Sequence, residues 1–249
     1  MTISVVQTAS GVSPTAGMTF TDPVTAGNTI VCIVIGYSPG TTPPLSDEMC
    51  TLVSYNGAGI IGAQPLWSQL GTDMVLSASG GFDAFVSGWL IPNVAAGNTV
   101  IAQAVSGLTP NGFVAYEVAG LGVAPAIDQI SYASGGSANV DSTATPAITS
   151  APQFVVAGGG DTSTGLVAPT AGGWTVTAPA TYANAGYQIA SAAGGSYDWA
   201  QSGTNPGNWA AAVASIAATL AKPERRGIPE TPGLPQRPGG PQRPGSPER

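Results

Sequence analysis

Short apolar runs separated by Gly, Pro, Asn, Ser and Thr make up most of residues 1–221. This pattern is typical of an all-β sandwich or barrel, in which strands are short and turns need residues that interrupt them. Strands are predicted near Ile3–Ala9, Met18–Phe20, Thr29–Tyr37, Cys50–Tyr55, Phe82–Ile91, Thr99–Val105, Phe113–Ala119, Ile127–Ala133, Thr143–Ile148, Gln153–Ala157, Trp174–Thr177, Gly186–Ala190 and Tyr197–Gln201.

Two of these strands differ in the character of their faces. Thr29–Tyr37 is apolar at both odd and even positions, which predicts a central strand that is covered on both sides. Phe113–Ala119 has two unlike faces and carries Glu117. A carboxylate in a strand needs a hydrogen-bonding partner or water, so one of the two is expected at Glu117.

One segment fits two patterns. In Asn208–Leu220 the residues Trp209, Val213, Ile216 and Leu220 form one stripe of a helix, and the segment is rich in Ala, the best helix former. Alternation of Trp209 and Val213 with smaller residues also allows a strand. The local pattern alone leaves both interpretations open.

The C-terminal residues follow a different repeat. From Gly227 a six-residue unit recurs as Gly-Ile-Pro-Glu-Thr-Pro, Gly-Leu-Pro-Gln-Arg-Pro, Gly-Gly-Pro-Gln-Arg-Pro and a shortened Gly-Ser-Pro-Glu-Arg. Proline at every third position matches the three residues per turn of polyproline II. Such a strip has no core of its own. The sequence therefore predicts one domain, residues 1–221, followed by an extended arm, residues 222–249.

The arm has three possible roles. A collagen triple helix needs Gly at every third residue, and here Glu or Gln occupies half of those places, so we reject it. A disordered linker and an anchor in a partner's groove both stay open, and we favour the anchor. Its docking residues are predicted to be Ile228, Pro229, Pro232, Leu234, Pro235, Arg237, Pro238, Pro241, Arg243, Pro244, Pro247 and Arg249.

The charges divide sharply between body and arm. Residues 1–221 contain ten acidic and no basic residues, a net charge of −10, whereas the arm has six basic and three acidic residues, a net charge of +3. A body without cations cannot neutralise phosphates, so nucleic acid and anionic membranes are not expected as partners. No secretion signal or membrane-spanning segment is expected either. Cys32 and Cys50 are expected as buried thiols, with a disulfide as the less favoured alternative.

The residue types that carry chemistry are scarce. The chain has no His, and its only Lys is Lys222, so the usual general base and amine nucleophile are missing from the body. Two carboxylate pairs, Glu117 with Asp128 and Asp141 with Asp161, are candidates for glycoside hydrolysis, but ten scattered acids make close pairs common. No calcium-loop motif occurs. We therefore predict no catalytic residues, no metal and no cofactor.

Six motifs resemble a known family. They are Val24-Thr-Ala-Gly-Asn-Thr-Ile-Val, Phe113-Val-Ala-Tyr-Glu-Val-Ala-Gly, Ala126-Ile-Asp-Gln, Ala151-Pro-Gln-Phe-Val-Val, Gly173-Trp-Thr-Val and Gly207-Asn-Trp-Ala-Ala-Ala-Val-Ala. In this order they look like the jelly-roll-like β-sandwich modules of tailed-phage virion proteins and bacterial surface proteins. The resemblance covers most of residues 1–218 and implies that Trp209–Ala218 is a final strand. Segments Ser38–Glu48 and Gly57–Gly80 follow no motif of the family.

The resemblance implies a single antiparallel, jelly-roll-like β-sandwich with a structural role. We expect a non-enzymatic protein of a tailed-phage virion, a minor tail protein or capsid ornament, assembled in the host cytoplasm. Its expected partners are other virion proteins and neighbouring copies of itself. The alternative is a carbohydrate-binding or adhesin module that contacts host cell-wall polysaccharide through aromatic side chains, and Trp67 is its candidate glycan contact.

Overall fold

A computed structural model describes residues 2–12, 18–38, 50–57, 59–62, 64–65, 74–75, 83–97, 100–105, 109–136, 139–162, 166–167, 169, 172–180, 183–203 and 207–219. Within these ranges the chain forms strands and no helix, which confirms the predicted all-β class. The strands are β1 (Ser4–Gly11), β2 (Met18–Thr19), β3 (Thr29–Ser38), β4 (Cys50–Gly57), β5 (Gly59–Gly62), β6 (Gln64–Pro65), β7 (Met74–Val75), β8 (Asp83–Ile91), β9 (Val100–Val105), β10 (Thr109–Ala119), β11 (Ala126–Gly135), β12 (Asn139–Asp141), β13 (Gln153–Asp161), β14 (Leu166–Val167), β15 (Thr175–Ala180), β16 (Ala183–Ala190), β17 (Ala200–Gly203) and β18 (Trp209–Ala217).

The strands form four antiparallel sheets, two in each half of the body. Inner sheet 1 has the order β1-β10-β3-β8-β6, with β7 also on β8, and outer sheet 1 has the order β2-β9-β4-β5. Inner sheet 2 has the order β11-β18-β13-β16-β15, and outer sheet 2 has the order β12-β17-β14. In both halves the first strand pairs with the last, β1 with β10 and β11 with β18, and the last strand also pairs with the third, β3 or β13. The second strand pairs with the last but one, β2 with β9 and β12 with β17. That strand also pairs with the fourth, β4 or β14. The two halves therefore repeat one topology.

The sheets stack in four layers around three apolar clusters. The middle cluster joins the inner sheets, with Ile33 and Tyr116 on one side and Phe154 and the smaller Ala212 on the other. The opposite faces of the inner sheets carry the two flanking clusters, which also take in residues of the outer sheets. This arrangement refines the prediction of a single sandwich. Both inner sheets are apolar on two faces, and each face needs its own cover.

An aromatic group lies at the centre of the middle cluster. Tyr116 meets Phe154 and Tyr187 edge to face, with ring centroids 6.1 and 5.2 Å apart, and Phe154 stacks on Tyr187 at 5.6 Å. Burial raises the pKa of the Tyr116 phenol well above its ordinary value, and the nearby Tyr187 adds to that shift. The Tyr116 side chain is therefore neutral at neutral pH. Because the three rings come from both inner sheets, they tie the two halves together.

Two of the sequence predictions are confirmed by strand position. Strand β3 is central, pairs with β10 and β8, and has Ile30 in one flanking cluster and Val31 in the middle cluster. Residues Trp209–Ala217 form strand β18, so the helical interpretation of that segment is wrong. Its alanines alternate between two packed faces, and their small size lets the larger side chains of inner sheet 1 approach.

The strand predicted over Thr143–Ile148 is wrong, because no strand forms there. The Asp141 carboxylate accepts a hydrogen bond from the Thr143 N–H at 2.8 Å, which makes a local turn, and Thr143 has φ of 60°. Pro146 then lacks an N–H to donate to a neighbouring strand. The segment still lies along residues 195–199, where Thr145 N–H donates to the Tyr197 carbonyl at 2.8 Å.

Cys32 is buried in β3 as a thiol and forms no disulfide, which confirms the favoured expectation for that residue. The side chain of Cys50, and with it the other half of that prediction, lies outside the described residues.

Gly159 in β13 provides a test of the packing. A β-carbon at this position would lie 2.6 Å from Oε1 of Gln201 and 2.8 Å from Nε1 of the fully buried Trp199. We expect Gly159→Ala to lower the free energy of unfolding by about 1–3 kcal/mol, because the buried pair must shift. Gly11→Ala is the control, since its β-carbon would meet only Met18 at 3.6 Å. Equal melting temperatures for the two variants would contradict this packing.

Candidate functional site

The predicted docking and glycan-contact residues lie outside the described part of the chain. This holds for the arm, which includes all twelve docking residues, and for Trp67. Both assignments therefore stay predictions. The described residues instead reveal what kind of body the arm is attached to.

The other tryptophans belong to the core rather than to a sugar-binding surface. Trp89, Trp199 and Trp209 are buried, and Trp199 donates its Nε1–H to Oε1 of Gln201 at 2.7 Å. Trp174 is half-buried, packs edge-on against Trp199 with a centroid distance of 5.2 Å, and donates to the Asp198 carbonyl at 3.1 Å. Stacking on a pyranose ring needs an open aromatic face, which none of the three buried tryptophans has.

Glu117 on β10 is fully buried and accepts hydrogen bonds from three donors. Its Oε1 receives the Thr25 backbone N–H at 2.9 Å and Nδ2 of Asn28 at 2.5 Å, and its Oε2 receives Nε2 of Gln7 at 2.6 Å. Gln7 in turn exchanges two hydrogen bonds with the backbone of Asp22. The expected partner of Glu117 is thus the loop that leads into β3, together with β1.

Asp128 on β11 accepts an equivalent set of hydrogen bonds in the second half. Its Oδ2 receives the Thr149 N–H at 2.7 Å and Nε2 of Gln153 at 2.6 Å, and its Oδ1 receives the Thr149 hydroxyl at 2.7 Å. Partial burial acts to raise the pKa of Asp128, but the hydrogen bonds from Gln153, Thr149 and Gln129 outweigh it and hold that pKa below its ordinary value. The carboxylate fastens the loop that leads into β13.

We call these two arrangements the carboxylate clamps. In each, a carboxylate binds the backbone N–H of the threonine four residues before the third strand of its half, Thr25 before β3 and Thr149 before β13. The acids themselves come from different strands, the last in one half and the first in the other. These partners were not predicted from the sequence, because they lie far from the acids along the chain. The shared signal was a threonine at the same distance from two apolar strands.

The clamps show how the candidate carboxylates are used. Glu117 belongs to inner sheet 1 and Asp128 to inner sheet 2, and each is occupied by its own loop. Asp141 makes the turn at Thr143, and Asp161 is buried at the end of β13. In the described part of the chain there is no group of three or more His, Cys, Asp or Glu that could hold a metal ion. No described helix is long and apolar enough to cross a membrane.

The clamp at Asp128 has a pH signature. An Asp whose folded pKa is depressed stabilises the fold above its unfolded pKa, and that contribution is lost as the pH falls through the folded value. We expect Asp128→Asn to lower the free energy of unfolding at pH 7 by about 1–2 kcal/mol. The reason is that the Asn NH₂ group would replace one carboxylate oxygen and face a hydrogen-bond donor of Thr149 or Gln153. The difference from wild type should become smaller as the pH falls from 7 to about 3, because the carboxylate is protonated first in the unfolded chain and then in the folded protein.

Urea unfolding at both pH values measures this difference. Asp141→Asn is the matched control, since Asp141 is exposed and makes one local hydrogen bond. A deficit of Asp128→Asn that is as large at pH 3 as at pH 7 would show that the ionised carboxylate is not its source.

Comparison with known proteins adds no relative: no family model, no curated protein and no solved structure matches this chain.

Proposed function

We propose that this chain is a non-enzymatic structural protein of a tailed-phage virion, a minor tail protein or capsid ornament, with its β-sandwich body displayed on the particle and its C-terminal arm as the anchor. The single observation that carries the proposal is the union of a self-contained, multilayered body with an arm that has no apolar core. A strip of this kind gains contacts only from another surface, and that surface would be a neighbouring virion protein or a second copy of the chain.

The strand orders support a jelly-roll assignment for each half. In a jelly roll two four-stranded sheets face each other, and the first strand lies beside the last in one sheet while the second lies beside the last but one in the other. Both halves have these strand pairings, in sheets of six and four strands in the first half and of five and three strands in the second. Jelly rolls recur in viral capsid and lectin domains, so the likeness agrees with a virion role but rests on fold-level analogy.

The charge division supports the arm as the contact element. Every basic residue of the chain lies in the arm, residues 222–249, whereas all charged residues of the body are acidic. Arg237, Arg243 and Arg249 recur every six residues, so in polyproline II they would stand in register, about 19 Å apart at ~3.1 Å per residue. An acidic groove with that spacing would select the arm, and the body of a neighbouring copy is one source of such acids.

A non-enzymatic role agrees with the chemistry of the body. It has neither His nor Lys, and its buried Glu117 accepts three hydrogen bonds from neutral donors that fix a loop. The alternative role as a carbohydrate-binding module depends on Trp67. Cell-wall or glycan-array binding that is lost in Trp67→Ala would favour it.

The arginines provide a graded test of the proposal. We expect Arg237→Gln combined with Arg243→Gln to reduce incorporation into particles several-fold and to make the remaining incorporation less sensitive to salt. Exposed ion pairs contribute only about 0.2–1 kcal/mol each, so the effect is partial. Incorporation is measured on purified particles at low and high salt. Pro229→Ala, which changes a ring and no charge, is the control for salt sensitivity. An unchanged salt dependence in the double arginine variant would remove the electrostatic part of the proposal.

A further inference from the structure

Trp174 is half-buried, whereas the other tryptophans of the described residues are buried. Its ring is held from two directions, because its Nε1–H donates to the Asp198 carbonyl at 3.1 Å and its centroid lies 5.2 Å from that of Trp199, edge to face. The Trp199 ring in turn lies over Gly159 and Gly186, where β-carbons would come within 2.8 and 2.9 Å of it. The exposed part of Trp174 is therefore an aromatic surface on a fixed support.

The turn before Trp174 places no side chain over its ring. Gly172 and Gly173 both have left-handed backbone conformations, with φ of 86° and 74°. A β-carbon on Gly172 would lie 3.2 Å from the Trp174 ring and 3.8 Å from Nε2 of the half-buried Gln188. The ring, an amide side chain and two glycines thus meet at one place. We call Gly172, Gly173, Trp174, Gln188 and Asp198 the Trp174 platform.

Acidic side chains border this platform. Asp198 is exposed, and so is Asp141 on β12, which pairs with Ala200. Asp141 and Asp198 are therefore diagonal neighbours, roughly 7–8 Å apart. Because every charged side chain of the body is acidic, the body has no cationic side chain to pair with them. The cations that this chain offers are the six basic residues of the arm.

The repeats of the arm have the chemistry that such a surface recognises. Polyproline II segments dock on aromatic-lined surfaces, and their backbone carbonyls have no internal hydrogen bonds, so a side-chain amide such as that of Gln188 finds acceptors there. Residues 235–238 and 241–244 both read Pro-Gln-Arg-Pro. A proline ring packed on Trp174 would bring the arginine of the same repeat toward Asp198, which supplies the opposite charge.

We propose that the Trp174 platform of one copy binds a Pro-Gln-Arg-Pro repeat in the arm of a neighbouring copy. This inference rests on the anchoring role of the arm in the proposed function, and it names the partner as a second copy of this chain. Two bodies that each carry a net charge of −10 repel one another, and an arm of net charge +3 laid on the next body offsets part of that repulsion. Because each chain has one platform and one arm, the contact repeats head to tail from copy to copy.

Crosslinking between two differently substituted copies tests this contact. One full-length copy carries Ser196→Cys, at an exposed residue two positions before Asp198, and the other carries Gln242→Cys, next to Arg243. The two are mixed in solution and treated with a short bifunctional maleimide, which joins one to the other only through contact between copies. The unsubstituted chain gives the background of the native cysteines.

We expect a crosslinked dimer that contains one copy of each kind. Asp198→Asn in the Ser196→Cys copy should slow crosslinking by about two- to five-fold, because an exposed ion pair contributes little. Trp174→Leu should slow it by about ten-fold or more, because aromatic anchors dominate such contacts. Asp22→Asn is the matched control, since it removes the same charge from an exposed acid of the first half and should leave the rate unchanged. Melting temperatures show that each variant is folded.

Three results would overturn the inference while leaving the virion role to its own test. They are no crosslink between the copies, an equal loss in Asp22→Asn and Asp198→Asn, and a chain with both cysteines that links only within itself, which would place the arm on its own body. A shift of the Trp174 indole resonance with cell-wall fragments, without any crosslink, would assign the platform to glycan instead. Crosslinked copies that are absent from purified particles would contradict the virion role alone.

Discussion

Truncation after Ala221 is expected to abolish incorporation into particles and to leave the melting temperature of the body nearly unchanged. In the proposed function the arm supplies the contact with the partner, so the truncated chain lacks its anchor. The arm is expected to add little to the folding free energy, because Ile228 and Leu234 are the large apolar residues of its repeats. Particle incorporation and circular dichroism melting measure the two effects on the same protein.

The full-length protein is the positive control for incorporation. The double arginine variant should incorporate at a level between those of the full-length and the truncated protein. Truncated protein that incorporates at full occupancy would refute the anchor and leave the linker interpretation. A large fall in melting temperature or solubility would show that the arm belongs to the fold.

Phe154→Ala is expected to lower the free energy of unfolding by about 3–5 kcal/mol, which is more than is expected for Gly159→Ala or Asp128→Asn. Phe154 is fully buried between the inner sheets and contacts Tyr116 and Tyr187. For a domain of this size, each kcal/mol lowers the melting temperature by about 2–4 °C, so a fall on the order of 10 °C is expected. Because both halves share this cluster, they should still unfold in one transition.

Tyr132→Ala is the matched control for this loss, since Tyr132 lies on edge strand β11 and is 40% exposed. It should change the free energy of unfolding by less than about 1 kcal/mol. Similar small effects for both substitutions, or two separate unfolding transitions, would contradict a shared core between the halves.

Where one strand buries both faces or alternates clearly, the sequence was sufficient to predict that strand and the all-β class. The two apolar faces of β3 predicted its central place, and the strand at Trp209–Ala217 followed from the family resemblance where the local pattern was ambiguous. The turn at Thr143 was harder to predict, because a single hydrogen bond from the Thr143 N–H to the Asp141 carboxylate redirects an otherwise extended segment.

The repetition of one topology was not predicted, and the reason is physical. The strand order of a sheet is set by which strands pair, and pairing depends on alternation and turn positions rather than on particular side chains. The two halves also hold their equivalent loops with different acids. Glu117 accepts a hydrogen bond from Gln7, which is 110 residues away in sequence, and Asp128 accepts one from Gln153, which is 25 residues away. Only the hydrogen-bonding geometry reveals that both carboxylates hold equivalent loops.

The arm as an intermolecular anchor is tested most directly by photo-crosslinking in assembled particles. A benzoylphenylalanine at Leu234, in the second repeat, would bond to whatever lies within contact distance, and the same group at Ser134, an exposed residue near the end of β11, is the control. Mass spectrometry of the products should show crosslinks from position 234 to another virion protein or to a second copy of the chain, and none from position 134. Crosslinks from position 234 only to the body of its own chain, or to nothing, would contradict the anchor.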